Sequence, residues 1–203
     1  GLSPEDIDIV LMTHMHHDHS GGLTYVNNQG KLVSKYPNAK IIVNDVEWYE
    51  MRNPNDRTRG TYLRENWEPI QDQVTTFSEY INVIPEIQMI HTSGHSNGHS
   101  IILLKQGKDT MIHMGDLMLS HVHRNPLWVP AVDDYPMKSI LAKEKWLRQA
   151  FENHYKFFFY HDQFFAVVEF DKEGKELVDY VLRSRPPLIP FTDEQDRKPD
   201  FLG

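Results

Sequence analysis

The chain contains no cysteine among its 203 residues. Disulfide bonds and thiolate metal sites are therefore excluded, and any bound metal must be held by histidine, aspartate or glutamate side chains. The absence of cysteine is also consistent with a cytoplasmic protein, and this is the location that we predict.

The sequence has neither a surplus of basic residues nor a long apolar run. Its 21 lysines and arginines stand against 29 acidic residues, which gives a formal net charge of −8. A nucleic-acid-binding protein would favour a basic stripe, and a membrane span needs about 18–20 consecutive apolar residues. We therefore expect neither a nucleic-acid partner nor a membrane partner. The hydrophobic content of 39% is ordinary for a single globular domain.

Short apolar runs separated by turn residues indicate strands that alternate with helices. The pattern predicts strands over Ile7–Met12, Ala39–Asn44, Val83–Ile90, Ser100–Gln106, Asp109–Asp116, Lys156–Asp162 and Val167–Phe170. It predicts helices over Ser20–Asn27, Val46–Arg52, Tyr135–Tyr155 and Lys175–Arg183. Residues 53–73 are expected to form a loop or short helices that shape a binding site. The fold class is α/β (α+β), with one domain over residues 1–185 and a proline-rich tail over residues 186–203.

The stretch THMHHDHSGG, residues 13–22, concentrates four histidines and one aspartate directly after the first predicted strand. His14 and His16 are two positions apart, so at a strand end their side chains share a face and can converge on one cation. Asp18 and His19 follow where the strand gives way to a helix start, and they can point at a second, nearby position. Packing these groups together without a cation would be unfavourable once they are buried.

Three further candidate ligands, His95, Asp116 and His161, lie where a predicted strand stops and a loop begins. Active sites built on sheets collect their residues at such positions. Imidazole and carboxylate groups without thiolate favour zinc, manganese, iron or cobalt over calcium or magnesium. The remaining isolated histidines are interpreted as surface or core residues rather than ligands: His91, His113 and His154.

These motifs together resemble the metallo-β-lactamase superfamily. HMHHDH matches its H-x-H-x-D-H signature, and SGHSNGH, Gly115-Asp116 and His161 resemble its later motifs in order and rough spacing. The resemblance implies a four-layer αβ/βα sandwich with two metal ions at one edge of its two sheets. It implies that the first ion is held by His14, His16 and His95, and the second by Asp18, His19 and His161. Asp116 would bridge both, and zinc is the first choice of metal.

The segment after Asp116 resembles that of lactonase-like members, including quorum-quenching N-acyl-homoserine-lactone hydrolases. The implied reaction is the attack of a metal-bridging hydroxide on a small ester, with Asp18 able to shuttle the proton. Leu119 stands where some of these lactonases have a tyrosine that helps to polarise the substrate. The pocket wall is predicted to include His121, His123 and Trp128, although exposed loop histidines and a packed tryptophan are equally consistent with the sequence. The alternatives are a phosphotriester or phosphodiester hydrolase, a glyoxalase II-like thioesterase, and a non-catalytic metal-binding fragment.

The first signature begins at residue 14, whereas in this superfamily it usually follows several strands. We therefore expect N-terminal strands to be missing from this chain. Their absence would leave sheet edges and apolar faces that need a cover, and a homodimer would provide one.

Overall fold

The computed structural model describes residues 1–184, which form two main sheets, a small hairpin and three α-helices. In chain order the elements are β1 (Ile9–Leu11), α1 (His17–Ser20), β2 (Thr24–Val26), β3 (Leu32–Ser34), β4 (Lys40–Asn44), α2 (Asp45–Arg52), β5 (Val74–Phe77), β6 (Tyr80–Ile84), β7 (Ile87–His91), β8 (Ser100–Gln106), β9 (Asp109–His113), α3 (Pro136–Glu152), β10 (Lys156–Phe158), β11 (Phe165–Phe170) and β12 (Leu177–Leu182). Short 3-10 turns cover Pro4–Asp6, Gly21–Leu23, Arg64–Asn66, Glu68–Gln73, Gly115–Met118 and His121–Arg124. The predicted tail, residues 186–203, lies outside the described residues.

The smaller sheet is parallel with strand order β1-β4-β5, and the larger one has the order β12-β11-β10-β9-β8-β7-β6. Within the larger sheet only β9 and β10 are parallel, and β2 pairs with β3 as a separate hairpin. No helix in the described part of the chain is long and apolar enough to cross a bilayer.

Side chains that alternate along the central strands divide the core into three apolar clusters, one between each pair of adjacent layers. Ile41 and Val43 of β4 pack with α2 residues, whereas Ile42 points to the opposite face and packs with β7 and β8. On β8, Ile101 and Leu103 face α3 on the outer side of the larger sheet. This period of two places each sheet between a helix and the other sheet. The predicted four-layer αβ/βα sandwich is therefore confirmed, and each fully buried Leu or Ile contributes about 1.5–3 kcal/mol.

Strand direction brings the candidate ligands to one edge of the sandwich. β7 and β8 are antiparallel, as are β8 and β9, while β9 and β10 are parallel. The carboxyl ends of β7, β9 and β10 therefore meet at the same edge of the larger sheet. The carboxyl end of β1, in the smaller sheet, faces that edge. The loops that follow β1, β7, β9 and β10 therefore lie around the candidate ligands.

Three predicted elements were wrong. Lys175–Arg183 is not a helix, because Leu177–Leu182 pairs antiparallel with β11 across a turn at Gly174, which has φ +68°. The predicted helix over Ser20–Asn27 ends early, because the β-favouring residues Thr24–Val26 pair with β3. The single strand predicted over Val83–Ile90 is split between β6 and β7 by a turn at Pro85.

Candidate metal centre

The histidine motif leaves the smaller sheet at Met12, whose backbone N–H still donates to Ile42. The chain then turns into α1, and the Ser20 hydroxyl is within 3.0 Å of the carbonyl oxygens of Met15 and His16. These bonds fix the turn because they tie the end of the short helix back to the residues that precede it. The side chains of the motif are thereby held at the sheet edge rather than along a strand.

The first group of candidate ligands consists of His14, His16 and His95, all three buried. One ring nitrogen from each lies within 4.8 Å of the others. Nδ1 of His16 is 3.0 Å from Nε2 of His95, although these residues are 79 positions apart in the sequence. We call these three residues the inner group.

The second group consists of Asp18, His19, Asp116 and His161, and its ligand atoms also lie within 4.8 Å of one another. It is more open, because the side chains of Asp18 and His161 are 46% and 38% exposed. We call this set the outer group.

Asp116 turns one carboxylate oxygen to each group. Its Oδ2 lies 3.4 Å from Nε2 of His95 and 3.9 Å from Nε2 of His14. Its Oδ1 lies 3.2 Å from Nε2 of His19 and 3.4 Å from Nε2 of His161. A carboxylate in this position can bind two cations at once, one through each oxygen.

Several buried polar atoms at this point have no hydrogen-bond partner among the described residues: His14 Nε2, His16 Nε2 and Asp116 Oδ1. Such atoms normally find partners, and leaving one without costs about 1–3 kcal/mol. All three belong to candidate ligand residues, and His14 Nε2 and Asp116 Oδ1 lie where the ligand atoms converge, so metal ions fit the arrangement. His16 faces His95 through its other ring nitrogen, Nδ1. A fourth such atom, His113 Nε2, belongs to neither group.

Burial keeps two of the inner imidazoles, His14 and His16, neutral. It lowers the pKa of His16 to about 3, with a further contribution from nearby His95. Burial also lowers the pKa of His14 well below its usual range, aided by the neighbouring His16. For Asp116, burial opposes ionisation, but the facing His161 and His19 outweigh it and hold the pKa of the carboxyl well below its usual range. Neutral imidazoles and an ionised carboxylate are the protonation states that bind a metal.

Asp133 supports the inner group and was not anticipated from the sequence. Its Oδ1 lies 2.8 Å from Nδ1 of His95, and its Oδ2 accepts a hydrogen bond of 2.6 Å from Ser139. A carboxylate on the far nitrogen orients a ligand histidine and increases its basicity. A single acid 38 positions away from its partner has no spacing signal that could have identified it.

His99 positions the backbone of Asp116. Its buried Nε2 accepts the Asp116 N–H at 3.2 Å, and its Nδ1 is 3.0 Å from the Thr92 hydroxyl. Gly115 has φ +51°, and a Cβ there would lie 2.5 Å from His99 Nε2, so only glycine fits. His99 lies within the motif SGHSNGHS, which was a signal that the sequence reasoning left unassigned.

Glu47 joins three segments around the inner group. Its buried carboxylate accepts hydrogen bonds from the Met15 N–H, the Tyr62 hydroxyl and the Ser96 hydroxyl, at 2.8, 2.9 and 2.6 Å. Burial raises the pKa of this carboxyl despite these donors. A Cβ at Gly98 would lie 2.1 Å from the Glu47 backbone nitrogen. The loop between β7 and β8, which carries His95, therefore packs against α2 with no room for a side chain at Gly98.

A cavity of about 450 Å³ opens beside both groups. Its lining residues are His16, His17, Asp18, Arg57, Thr61, His95, Asp116, Ala131, Val132 and Asp134. Arg57 and Thr61 come from the connecting segment over residues 53–73, in accord with the expectation that this segment shapes a binding site.

The three residues predicted for the pocket wall are not among those that line this cavity. The His121 ring lies 2.6 Å from Asp162 Oδ2, and that of His123 lies 2.9 Å from the Ser120 hydroxyl. Trp128 is exposed and lines a separate cavity of about 920 Å³ beside α3. The prediction placed them by chain distance from Asp116, whereas the 3-10 turn at His121–Arg124 packs against Asp162 and the turn at Gly174.

The histidines interpreted as structural each make a local hydrogen bond. The nearest atoms are Asn97 O at 2.8 Å for His91, Phe158 O at 2.9 Å for His113 and Glu169 Oε1 at 3.2 Å for His154. None of the three belongs to either ligand group.

Residues 1–151 match the family model described as the metallo-beta-lactamase superfamily. A probable metal-dependent hydrolase from Staphylococcus aureus is 40% identical with a TM-score of 0.87, covering 92% of this chain and 66% of that chain. An N-acyl homoserine lactonase from Bacillus cereus is 30% identical over 112 residues, 55% of this chain and 38% of the lactonase.

A structure of a dizinc quorum-quenching lactonase in complex with a product has the same fold. It is 19% identical with a TM-score of 0.74, covering 92% of this chain and 68% of that chain. The chain spans less than two fifths of the length of the curated lactonases that it matches.

Proposed function

The chain belongs to the metallo-beta-lactamase superfamily, and we propose that it acts as a metal-dependent hydrolase of a small ester, in the first place a lactone such as an N-acyl-homoserine lactone. The observation that carries the proposal is Asp116, which turns one oxygen to each of two groups of candidate metal ligands. The similarity to lactonases supports the choice of substrate.

Seven side chains would hold two divalent metal ions: His14, His16 and His95 the first, Asp18, His19 and His161 the second, and Asp116 both. Zinc is the first choice for this set, with manganese, iron and cobalt as alternatives. When bound, such ions lower the pKa of a water towards about 7 and polarise the substrate carbonyl.

The protein's own contribution is to position these groups and to handle the proton. Asp18 lines the cavity and is about half exposed, so its carboxylate can take up the proton of the attacking water and pass it to the departing alkoxide. Asp133 and His99 position His95 and Asp116, so the geometry does not depend on the substrate being bound.

The cavity favours a small molecule over a polymer. Its volume of about 450 Å³ lies within the usual range for small-molecule sites. The formal net charge of −8 gives no support to a nucleic-acid substrate.

A substrate panel on metal-loaded protein tests this proposal. The panel contains an N-acyl-homoserine lactone, a phosphotriester, a phosphodiester and a glutathione thioester. We expect the lactone to turn over fastest, the activity to disappear on chelation, and added zinc to restore it. Faster turnover of a phosphoester or the thioester would replace the lactone as substrate. Two bound ions with no turnover of any member would indicate a non-catalytic metal-binding fragment.

Three expectations from the sequence stay predictions: a cytoplasmic location, a homodimer, and the division into a domain over residues 1–185 and a tail over residues 186–203. β1 lies at an edge of the smaller sheet, so it has one strand partner among the described residues. Sedimentation of the metal-loaded protein would test the homodimer directly.

A further inference from the structure

His17 is the one histidine of the HMHHDH motif that belongs to neither ligand group. It is exposed and lines the cavity beside Asp18. Its backbone N–H donates to the Thr61 carbonyl oxygen at 2.9 Å, which holds the residue at the cavity rim. Among the described residues, its imidazole has no hydrogen-bond partner, so both of its nitrogens are available to a ligand.

Arg57 occupies the same rim and reaches across the cavity. Its Nε donates to Asp134 Oδ1 at 2.5 Å, and its Nη2 donates to the Asp133 carbonyl oxygen at 3.0 Å. Within residues 1–184, no hydrogen bond is made by its Nη1. Asp134 is in turn held by its own N–H, which donates to the His95 carbonyl oxygen at 2.9 Å. The guanidinium is therefore fixed close to the inner group with a donor to spare.

The charges around this rim select the kind of ligand. The positive charge of Arg57 is balanced by Asp134, and the exposed carboxylate of Asp18 adds a negative charge to the same cavity. An anionic ligand would be repelled by these two carboxylates, whereas a neutral oxygen acceptor can accept hydrogen bonds from His17 and Arg57 without that repulsion. Ala131 and Val132 form an apolar part of the lining, which suits an alkyl chain.

We infer that His17 and Arg57 are specificity-determining residues that bind a neutral carbonyl oxygen on the acyl side of the substrate. The preferred substrates are then lactones or esters that carry an amide or keto group, with the alkyl portion against Ala131 and Val132. This inference rests on the proposed function, because it assumes that the scissile bond lies at the metal groups. It deepens that function by naming the feature that separates good substrates from poor ones.

Binding of two non-hydrolysable lactams tests the inference without requiring turnover. One carries an N-acyl amide on the ring, and the other carries an alkyl chain of equal length. We expect metal-loaded wild-type protein to bind the amide-bearing lactam about tenfold more tightly by calorimetry, the effect of one or two hydrogen bonds. His17→Phe and Arg57→Met should abolish this preference. Arg57→Lys keeps a cation beside Asp134 but lacks the planar guanidinium that aims a separate donor into the cavity, so it should also lose the preference.

Arg59→Met is the matched control. Arg59 lies on the same segment, is 72% exposed and pairs with exposed Asp56 on that segment, so its loss should leave the preference intact. Equal binding of both lactams by wild type would overturn the inference. A loss of affinity for both lactams to the same degree in His17→Phe and Arg57→Lys would overturn it too. Preferential binding without hydrolysis of any ester would leave this inference in place and overturn the proposed function instead.

Discussion

The inner and outer groups differ in how firmly the protein holds them. His14, His16 and His95 are 0, 7 and 2% exposed, and Asp133 and Glu47 hold the loops that carry them. In the outer group, the side chains of Asp18 and His161 are 46% and 38% exposed. Asp116 is shared by both groups. We infer from this difference that the inner group is the more preorganised of the two and that the outer group is the more accessible to a substrate.

The largest expected effect comes from His16→Ala, which removes an inner ligand. We expect the variant to bind one metal ion fewer and to lose more than about 100-fold in turnover. This exceeds the usual cost of losing a residue that only hydrogen-bonds to a metal ligand. Metal analysis and the lactone assay measure the two effects. His154→Ala, a change to an exposed histidine paired with Glu169, is the matched control and should leave both unchanged. Full metal content in His16→Ala would contradict the ligand assignment.

An intermediate effect is expected from Asp133→Asn, which removes the charged partner of His95. Metal affinity at the inner group should fall about 10–100-fold, while the affinity of the outer group stays the same. Competition with a chelator separates the two affinities. Asp179→Asn, which disturbs an exposed pair with Lys156 far from either group, is the control. Equal weakening of both sites would show that the two groups are not supported independently.

The smallest effect concerns Glu47 and pH. Because burial raises the pKa of this carboxyl in the folded state, the folded protein favours the protonated form. Its contribution is present at low pH and is lost as the pH rises through the folded pKa. The free energy of unfolding of metal-free wild type, relative to Glu47→Gln, should therefore fall as the pH rises from the ordinary carboxyl range through the raised pKa of Glu47. Urea unfolding measures it, with Glu65→Gln as an exposed control; an increase with pH would contradict the burial argument.

Much of the site could be predicted because its candidate ligands have recognisable patterns in the local sequence. Four candidates lie within six positions, and His95, Asp116 and His161 each follow an apolar run. These residues are the ones that the fold brings together. The supporting residues could not be predicted in this way. Asp133 and Glu47 are single acids whose partners lie far away in the chain, so only the folded packing reveals them.

The fold was predictable in its layers but not in all of its elements. Buried strands such as Ile41–Val43 have an apolar pattern that local reasoning recognises. The predicted helix Lys175–Arg183, which contains β12, mixes charged and apolar residues in a way that fits a helix and a strand equally well. Pairing with β11 decides between them, and that interaction is absent from the local pattern.

The proposed reaction depends most on two ions sharing Asp116, and anomalous scattering from crystals of zinc-loaded protein tests this most directly. We predict two peaks, one among His14, His16 and His95 and one among Asp18, His19 and His161, with the Asp116 carboxylate between them. A single peak, or peaks away from these side chains, would contradict it.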